Sequence, residues 1–229
     1  AEDIADALTG NLCRCTGYSS IIKAAAAACV NNEKDTSYEQ DLRITELLAG
    51  IPNKSISIDT GRQKYFRPVT LPEAISLKSK FPKAILLCGA TDVALRVTKL
   101  NHLLEEIIDL GSIEKLKEIT EDNGIISIGA AVSLERLKAH SKDTLEALYK
   151  MLSVFGSKQI RELGSIGGNI GSASPIGDIP PVLMAYNARV VLISENNERE
   201  IPIREYITGY RTTQKQENEI IKAVKIDKM

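Results

Sequence analysis

The densest group of residues suited to ligand chemistry is the glycine-rich segment from Gly164 to Asp178. Five of its fifteen residues are glycine. Glycine permits positive backbone torsions and a close approach of the main chain, so successive amides can point at one anion, while the serine and asparagine side chains add donors. The segment therefore predicts a diphosphate cradle. A loop that only needs tight turns is the alternative.

A second candidate is the turn from Cys88 to Asp92, which follows an apolar run at 84–88. A turn of this kind places free amides at the start of a helix, where anions are favoured. An ordinary strand-to-helix turn has the same sequence. Neither segment has the spacing of Gly-x-Gly-x-x-Gly or Gly-x-x-x-x-Gly-Lys-Ser, which argues against Rossmann and P-loop sites.

Two cysteines one residue apart, Cys13 and Cys15, suit two thiolates that bind one metal centre. Two sulfurs cannot fill a four-ligand site, and the histidines, His102 and His140, show no paired spacing. A chance pair of small residues is the alternative. The four cysteines lack the spacing of a disulfide scaffold, so we expect reduced thiols. Without a Ser/His/Asp set or paired carboxylates, redox chemistry by a bound cofactor is the open possibility.

The sequence pattern also predicts the elements that position these residues. It indicates a helix–loop–helix unit over 2–30, a polar linker, and a second domain of mixed helices and strands. Thr70 and Glu73 have the spacing of a capping box, and Asn123-Gly124 is a hairpin signal. In the second domain we expect helices at 70–81, 133–140, 145–155 and 179–186, and strands at 84–88, 106–110, 116–120, 125–129, 189–193, 199–203 and 219–226.

Composition narrows the class of protein. The 229 residues are 43% hydrophobic and 26% charged, with a formal net charge of -1, so nucleic acid is not an expected partner. No apolar run approaches the roughly 20 residues that span a bilayer, and the start lacks a signal peptide. We expect no membrane association and a cytoplasmic location. The first residue is not Met, and we expect the chain to be part of a longer protein.

The segment from Ala7 to Ile21, with Leu12-Cys13-Arg14-Cys15-Thr16-Gly17, resembles the second half of the helical 2Fe-2S domain of molybdenum hydroxylases. The remainder resembles the FAD-binding domain of the same family, through Phe66-Arg67-Pro68, the 86–93 loop and Ser165-Ile166-Gly167-Gly168-Asn169.

Two further segments resemble the xanthine dehydrogenase branch more than the carbon monoxide dehydrogenase branch. They are Ala173-Ser174-Pro175 followed by Asp178, and Thr208-Gly209-Tyr210-Arg211 with Thr213.

The resemblance implies an α+β, two-subdomain (PCMH-type) FAD-binding domain at 64–229, with a small parallel sheet and an antiparallel sheet. A linker at 33–63 and the C-terminal part of the α-helical 2Fe-2S domain at 1–32 would precede it.

The resemblance also implies site residues. Cys13 and Cys15 match two of four cluster ligands, so we expect no intact 2Fe-2S centre from this chain alone. Ala90 stands where relatives often have asparagine, which predicts one polar contact fewer, and a basic residue expected beside the flavin should follow Met229. The implied flavin site consists of Leu86, Leu87, Cys88, Gly89, Ala90, Thr91, Asp92, Val93, Phe155, Ser165, Ile166, Gly167, Gly168, Asn169, Asp178 and Ile221.

The implied activity is electron transfer. Electrons would leave a purine, xanthine or hypoxanthine, at a molybdopterin centre on a large partner subunit, cross two 2Fe-2S clusters, reduce FAD and pass to NAD. The intact enzyme would be a dimer of heterodimers. Two alternatives remain: a flavoprotein component of another molybdenum hydroxylase, acting on an aldehyde or an aromatic acyl-CoA, and a non-catalytic interaction or assembly module that has lost its flavin.

Overall fold

The computed structural model describes residues 2–30 and 37–228, which form two compact units. One unit contains the residues up to Lys54 together with Gly156–Lys158, and the other contains Ser55–Phe155 together with the residues from Gln159 onward. The end of the predicted helical domain and the start of the predicted linker fall on 31–36, outside the described residues.

The first unit is helical, as the sequence predicts. Helix α1 spans Glu2–Leu8, α2 spans Ser19–Ala28 and α3 spans Ser37–Ala49. Helix α2 is alanine-rich and begins after Gly17 and Tyr18, whose φ angles are 65° and 67°. Helix α3 lies within the segment predicted as a linker. The segment is polar overall and was therefore predicted as a linker, but its apolar residues recur three and four positions apart, which is the spacing of a helix.

The second unit begins with a four-stranded sheet made of β1 (Ile56–Asp59), β2 (Lys64–Arg67), β3 (Ile85–Leu87) and β4 (Glu106–Asp109), in the order β1-β2-β4-β3. Strand β4 pairs with β2 and β3 in parallel, as expected, but β1 pairs with β2 antiparallel. The sheet is therefore mixed rather than parallel. This unit starts before residue 64 because β1, in the predicted linker segment, completes its sheet.

Helix α4 (Leu71–Lys80) begins at the predicted capping box. The Thr70 hydroxyl accepts a hydrogen bond from the Glu73 amide, and the Glu73 carboxylate reaches back to the amide of Val69 at 3.1 Å, one residue earlier than expected. Strand β3 then forms an edge of the sheet. It is half-buried, not buried on both faces as predicted, and a short helix, α5 (Ala94–Thr98), follows it.

A five-stranded antiparallel sheet forms the second half of the unit. Its strands are β5 (Ile119–Asp122), β6 (Ile125–Gly129), β7 (Arg189–Ile193), β8 (Glu198–Pro202) and β11 (Ile220–Asp227), in the order β5-β6-β11-β7-β8. The predicted hairpin turn is confirmed, because Asn123 and Gly124 both have positive φ. A 3-10 helix, Glu114–Lys117, replaces the first residues of the expected strand at 116–120. Helix α11 (Ile203–Tyr206), β9 (Ile207–Gly209) and β10 (Thr212–Thr213) lie between β8 and β11.

Helices pack on this sheet and bury the larger of two cores. The helices are α6 (Leu134–Ser141), α7 (Glu146–Val154), α9 (Ile166–Ser172) and α10 (Ile179–Ala185). Helix α8 (Lys158–Leu163) lies between α7 and α9 along the chain. Leu148, Ile166 and Leu183 are fully buried in this core, and each such side chain contributes about 1.5–3 kcal/mol. Helix α9 lies inside the glycine-rich segment, where we expected a loop. Among the described helices, none has the length and apolar character needed to cross a bilayer.

Candidate functional site

A cavity of about 530 Å³ lies in the second unit, beside the edge strand β3 and the start of α9. Thirteen of the sixteen residues predicted for a flavin site line it. They are Leu86, Leu87, Cys88, Ala90, Thr91, Asp92, Val93, Phe155, Ser165, Gly167, Gly168, Asn169 and Ile221. The two segments that the sequence singled out, more than seventy residues apart, therefore face one space.

Three predicted site residues do not line this cavity. Gly89 has φ of 73° and packs so closely that an added Cβ would lie 1.7 Å from the carbonyl oxygen of Leu163. Ile166 is fully buried in the core beneath the site. Asp178 is exposed at the start of α10, beside Gly177, which does line the cavity. Gly89 and Ile166 are thus placed to shape the wall, not to face a ligand.

Four consecutive backbone amides of the glycine-rich segment, at 166–169, already have acceptors within the protein. The amides of Ile166 and Gly167 donate to the carbonyls of Val132 and Ala130 at 3.1 and 2.9 Å. Those of Gly168 and Asn169 donate to Ser165, to its hydroxyl at 3.1 Å and its carbonyl at 2.9 Å. These four donors are used at the start of α9, and the binding of a diphosphate by this segment stays a prediction.

A run of consecutive open amides lies in the other segment. Within residues 2–30 and 37–228, no hydrogen bond has the amide of any residue from Cys88 to Val93 as its donor. Most residues of this run line the cavity. Consecutive amides without an internal acceptor form an anion-binding concavity, because each unsatisfied donor gains a partner when an anion binds.

Asn169 adds a polar side chain to the same wall. Its Oδ1 atom is buried and has no hydrogen-bond partner among the described residues. Buried polar atoms are nearly always paired in folded proteins, so this atom is suited to a ligand donor. The neighbouring Gly168 leaves open space: an added Cβ would meet only the Ser165 hydroxyl at 3.0 Å and the Cys88 carbonyl at 3.8 Å.

The basic residues of the wall were missed by sequence reasoning. Four basic residues line the cavity, Lys78, Lys83, Arg96 and Lys215, against one acid, Asp92, which pairs with Arg211 at 3.4 Å. The wall is therefore cationic and favours an anionic ligand. Lys78 had one available signal, because it follows Ala74 by four residues and so shares the buried face of α4.

Burial shifts the pKa values of three wall residues. It lowers the pKa of Lys78 to about 8, with a further contribution from the charge of Lys215, and it lowers the pKa of Lys215 as well. Burial raises the pKa of the Cys88 thiol, which keeps this cysteine protonated and unsuited to nucleophilic chemistry.

The rest of the wall is apolar, with Leu86, Leu110, Phe155 and Ile221 among its residues. The carbonyl of Phe155 accepts a hydrogen bond at 3.1 Å from Arg161, which is fully buried and ion-paired with Glu135 at 2.5 Å. The cavity thus combines open amides, cations and an apolar surface. It is suited to an elongated ligand with an anionic group and a flat apolar ring.

The predicted cluster ligands lie in the first unit. The Cys13 sulfur lies 3.5 Å from the Thr16 hydroxyl, and this contact lowers the pKa of the Cys13 thiol, while Cys15 is exposed. In the part of the chain that the structure describes, no group of three or more metal-binding side chains forms. Cys13 and Cys15 remain predicted ligands.

Comparison with known proteins identifies the wider family. Residues 57–228 match the family model described as FAD binding domain in molybdopterin dehydrogenase. The xanthine dehydrogenase of Emericella nidulans is 28% identical over 97% of this chain, and the xanthine dehydrogenase/oxidase of Gallus gallus is 29% identical over 98%. The chain spans 20% and 22% of the lengths of those two relatives, about a fifth.

A solved structure shows the same fold. The carbon monoxide dehydrogenase of Hydrogenophaga pseudoflava superposes with a TM-score of 0.70 and 26% identity, covering 73% of this chain and 60% of that chain. The family match begins at residue 57, within β1, and covers both sheets and the cavity. The chain therefore belongs to the family of FAD binding domains in molybdopterin dehydrogenases.

Proposed function

We propose that the second unit binds FAD in its cavity and transfers electrons within a molybdenum hydroxylase of the xanthine dehydrogenase type. The observation that carries this proposal is the run of open amides from Cys88 to Val93 beside a cationic and apolar cavity. The family match and the relatives support the same cofactor and the same class of oxidoreductase.

The residues present fit FAD. The open amides at 88–93 would hold the diphosphate, helped by the positive charge of Arg96, whose side chain lines the cavity one turn later. Asn169 would accept a donor of the cofactor with its unpaired Oδ1. The apolar residues Phe155 and Ile221 would cover ring surface. When bound, FAD would supply the two-electron chemistry, and the chain would orient it and exclude water.

The complete electron path is a further part of the proposal. We propose that electrons arrive from a purine, xanthine or hypoxanthine, by way of a molybdopterin centre on a partner subunit and two 2Fe-2S clusters, and leave to NAD in the cytoplasm. Cys13 and Cys15 would supply two of the four ligands of one of those clusters, and residues outside this chain would supply the other two. The assembly would be a dimer of heterodimers.

A second candidate is the flavoprotein component of another molybdenum hydroxylase. The likeness to a carbon monoxide dehydrogenase structure favours it. The substrate would bind outside the 229 residues in either case, so the cofactor chemistry of this chain would be the same. The two candidates differ in the reductant that bleaches the flavin of the complete enzyme, a purine in the first and an aldehyde or acyl-CoA in the second.

The test is direct. The purified chain is incubated with FAD, excess cofactor is removed, and the absorption spectrum is read from about 350 to 600 nm. We expect one flavin per chain and bleaching on addition of NADH. Asn169→Leu should weaken FAD binding roughly tenfold, because a ligand donor loses its acceptor. Asn196→Leu, on the exposed turn between β7 and β8, is the matched control and should bind as the unmodified chain does.

Two results would contradict the proposal. One is a folded chain that retains no flavin, which would favour the non-catalytic interaction module. The other is equal loss of FAD affinity in Asn169→Leu and Asn196→Leu, since only the first residue lines the cavity.

A further inference from the structure

One residue of the amide loop carries a charge of the wrong sign for an anionic ligand. Among the described residues that line the cavity, Asp92 is the only acid, and it lies within the run of open amides from Cys88 to Val93. A carboxylate in this position repels an anion that binds to the amides of the same loop. The charge of Asp92 therefore opposes the binding of a diphosphate unless another group compensates it.

Arg211 supplies that compensation from a distant part of the chain. A guanidinium nitrogen of Arg211 lies 3.4 Å from the Asp92 carboxylate, and the two residues are 119 positions apart in sequence. Arg211 is not itself among the described residues that line the cavity. Its charge thus acts on the cavity through Asp92 and not through a contact of its own.

The backbone around Arg211 points to a role for its side chain. Thr212 pairs with Gly209 across the β9–β10 hairpin, so Tyr210 and Arg211 form a two-residue turn. Arg211 has a φ angle of 52°, in the left-handed region that favours glycine or asparagine. A residue held in this region costs backbone strain, and such strain is found where a side chain is needed at that point. The contact with Asp92 accounts for an arginine here.

The other arginine near Asp92 is left for the ligand. Arg96 lines the cavity one turn after Asp92. Among the ion pairs of the described residues, Asp92 pairs with Arg211 alone. The division of charge is therefore clear: Arg211 cancels the acid of the loop, and Arg96 adds positive charge to the cavity.

We propose that Arg211 is a positioning residue for diphosphate binding, which neutralises Asp92 and so allows the amides at 88–93 to hold the dianion. This inference rests on the proposed binding of FAD. It holds for either orientation of the cofactor in the cavity, because the diphosphate lies between the two ends of FAD. The repulsion that Arg211 removes is electrostatic and is therefore screened by salt.

The experiment compares three variants of the purified chain by flavin fluorescence titration. Arg211→Met leaves Asp92 uncompensated and should weaken FAD binding about fivefold at low salt, the upper range for a half-exposed charge. Asp92→Asn removes the repelling charge and should tighten FAD binding about threefold. The double variant Asp92→Asn/Arg211→Met should recover the affinity of the unmodified chain to within about twofold, because neither charge remains.

Ionic strength gives a readout that a purely structural role would not move. In about 1 M sodium chloride, charges are screened over about 3 Å, so the loss in Arg211→Met should shrink to less than about twofold. Arg204→Met is the matched control. Arg204 is an exposed arginine of α11 that lies 3.7 Å from the Glu205 carboxylate and does not line the cavity, so this variant should bind FAD as the unmodified chain does.

Four outcomes would overturn the inference. If Arg211→Met and Arg204→Met bind FAD equally well, Arg211 has no role in binding, although the proposed function stands. If Asp92→Asn weakens binding as much as Arg211→Met, the pair only holds the hairpin against the loop. If the double variant stays as weak as Arg211→Met, Arg211 acts on the ligand directly. If the unmodified chain retains no flavin, the proposed function and this inference fail together.

Discussion

Two adjacent glycines at the start of α9 should respond to alanine in different ways. A Cβ on Gly167 would lie 2.6 Å from the Ala130 Cβ and 2.7 Å from the Ala130 carbonyl oxygen. Backbone must then move, because the main chain of Ala130, the residue after β6, lies directly against the start of α9. A Cβ on Gly168 meets the Ser165 hydroxyl at 3.0 Å and otherwise projects toward the cavity.

The expected free energies follow from these contacts. Alanine gains about 1 kcal/mol over glycine inside a helix. In Gly167→Ala, overpacking against backbone costs roughly 3 kcal/mol, so the net destabilisation is about 2 kcal/mol. For a domain of this size that lowers Tm by roughly 4–8 °C. In Gly168→Ala, the propensity gain is offset by displacement of the Ser165 cap, about 1 kcal/mol, so stability should be nearly unchanged.

Gly168→Ala should weaken FAD binding more than Gly167→Ala does, which is the opposite of their order in stability. The new methyl of Gly168→Ala occupies cavity space beside Asn169 and Cys88, so we expect at least about tenfold weaker binding, or 1.4 kcal/mol. Thermal melts by circular dichroism and flavin fluorescence titrations separate the two effects. The reasoning is refuted if Gly168→Ala melts as low as Gly167→Ala, or if it binds FAD as tightly as the unmodified chain.

Three further results are expected. Arg161→Met should cost about 1.5–3 kcal/mol in denaturant melts, because the Glu135 carboxylate loses its charged hydrogen bond to Arg161 and keeps only the longer contact with Lys138 at 3.7 Å; a loss under 1 kcal/mol would contradict the role of this pair. Ser165→Ala should cost about 1 kcal/mol in the same assay through the lost cap of Gly168, and an unchanged midpoint would argue against that bond. Since burial lowers the pKa of Lys78 to about 8, the unfolded chain binds this proton more tightly, so stability should rise from pH 8 toward the ordinary lysine pKa near 10.5, and the rise should vanish in Lys78→Met. Parallel pH profiles for the two proteins would exclude that effect.

The sequence predicted most elements because their patterns are local. The Asn123-Gly124 turn and the Thr70 cap fix a hairpin and a helix start through contacts within four residues. Strand β1 was not predicted, because it lies in a polar stretch that has the composition of a linker. Its partner β2 follows it after a short turn. The edge position of β3 was also hidden, because an apolar run does not tell which strand lies beside it.

The sequence predicted the two loops of the candidate site but not the basic residues of its wall. The resemblance located thirteen residues of one cavity wall, although they come from distant parts of the chain. Lys78 and Lys215 lie in different elements and have neither a motif nor a shared spacing. Their proximity depends on how α4 and the segment before β11 meet at the cavity, which a pattern along the chain does not encode.

The two glycine-bearing loops show what a glycine signal means physically. A glycine-rich segment indicates that backbone approaches something closely, but it does not say what. In the α9 segment the close partner of Gly167 is Ala130, within the protein. After β3, the Gly89 contact with the Leu163 carbonyl turns the chain so that the following amides find no internal acceptor. The packing of Gly89 thus leaves a run of consecutive amides without an internal acceptor in the loop with fewer glycines.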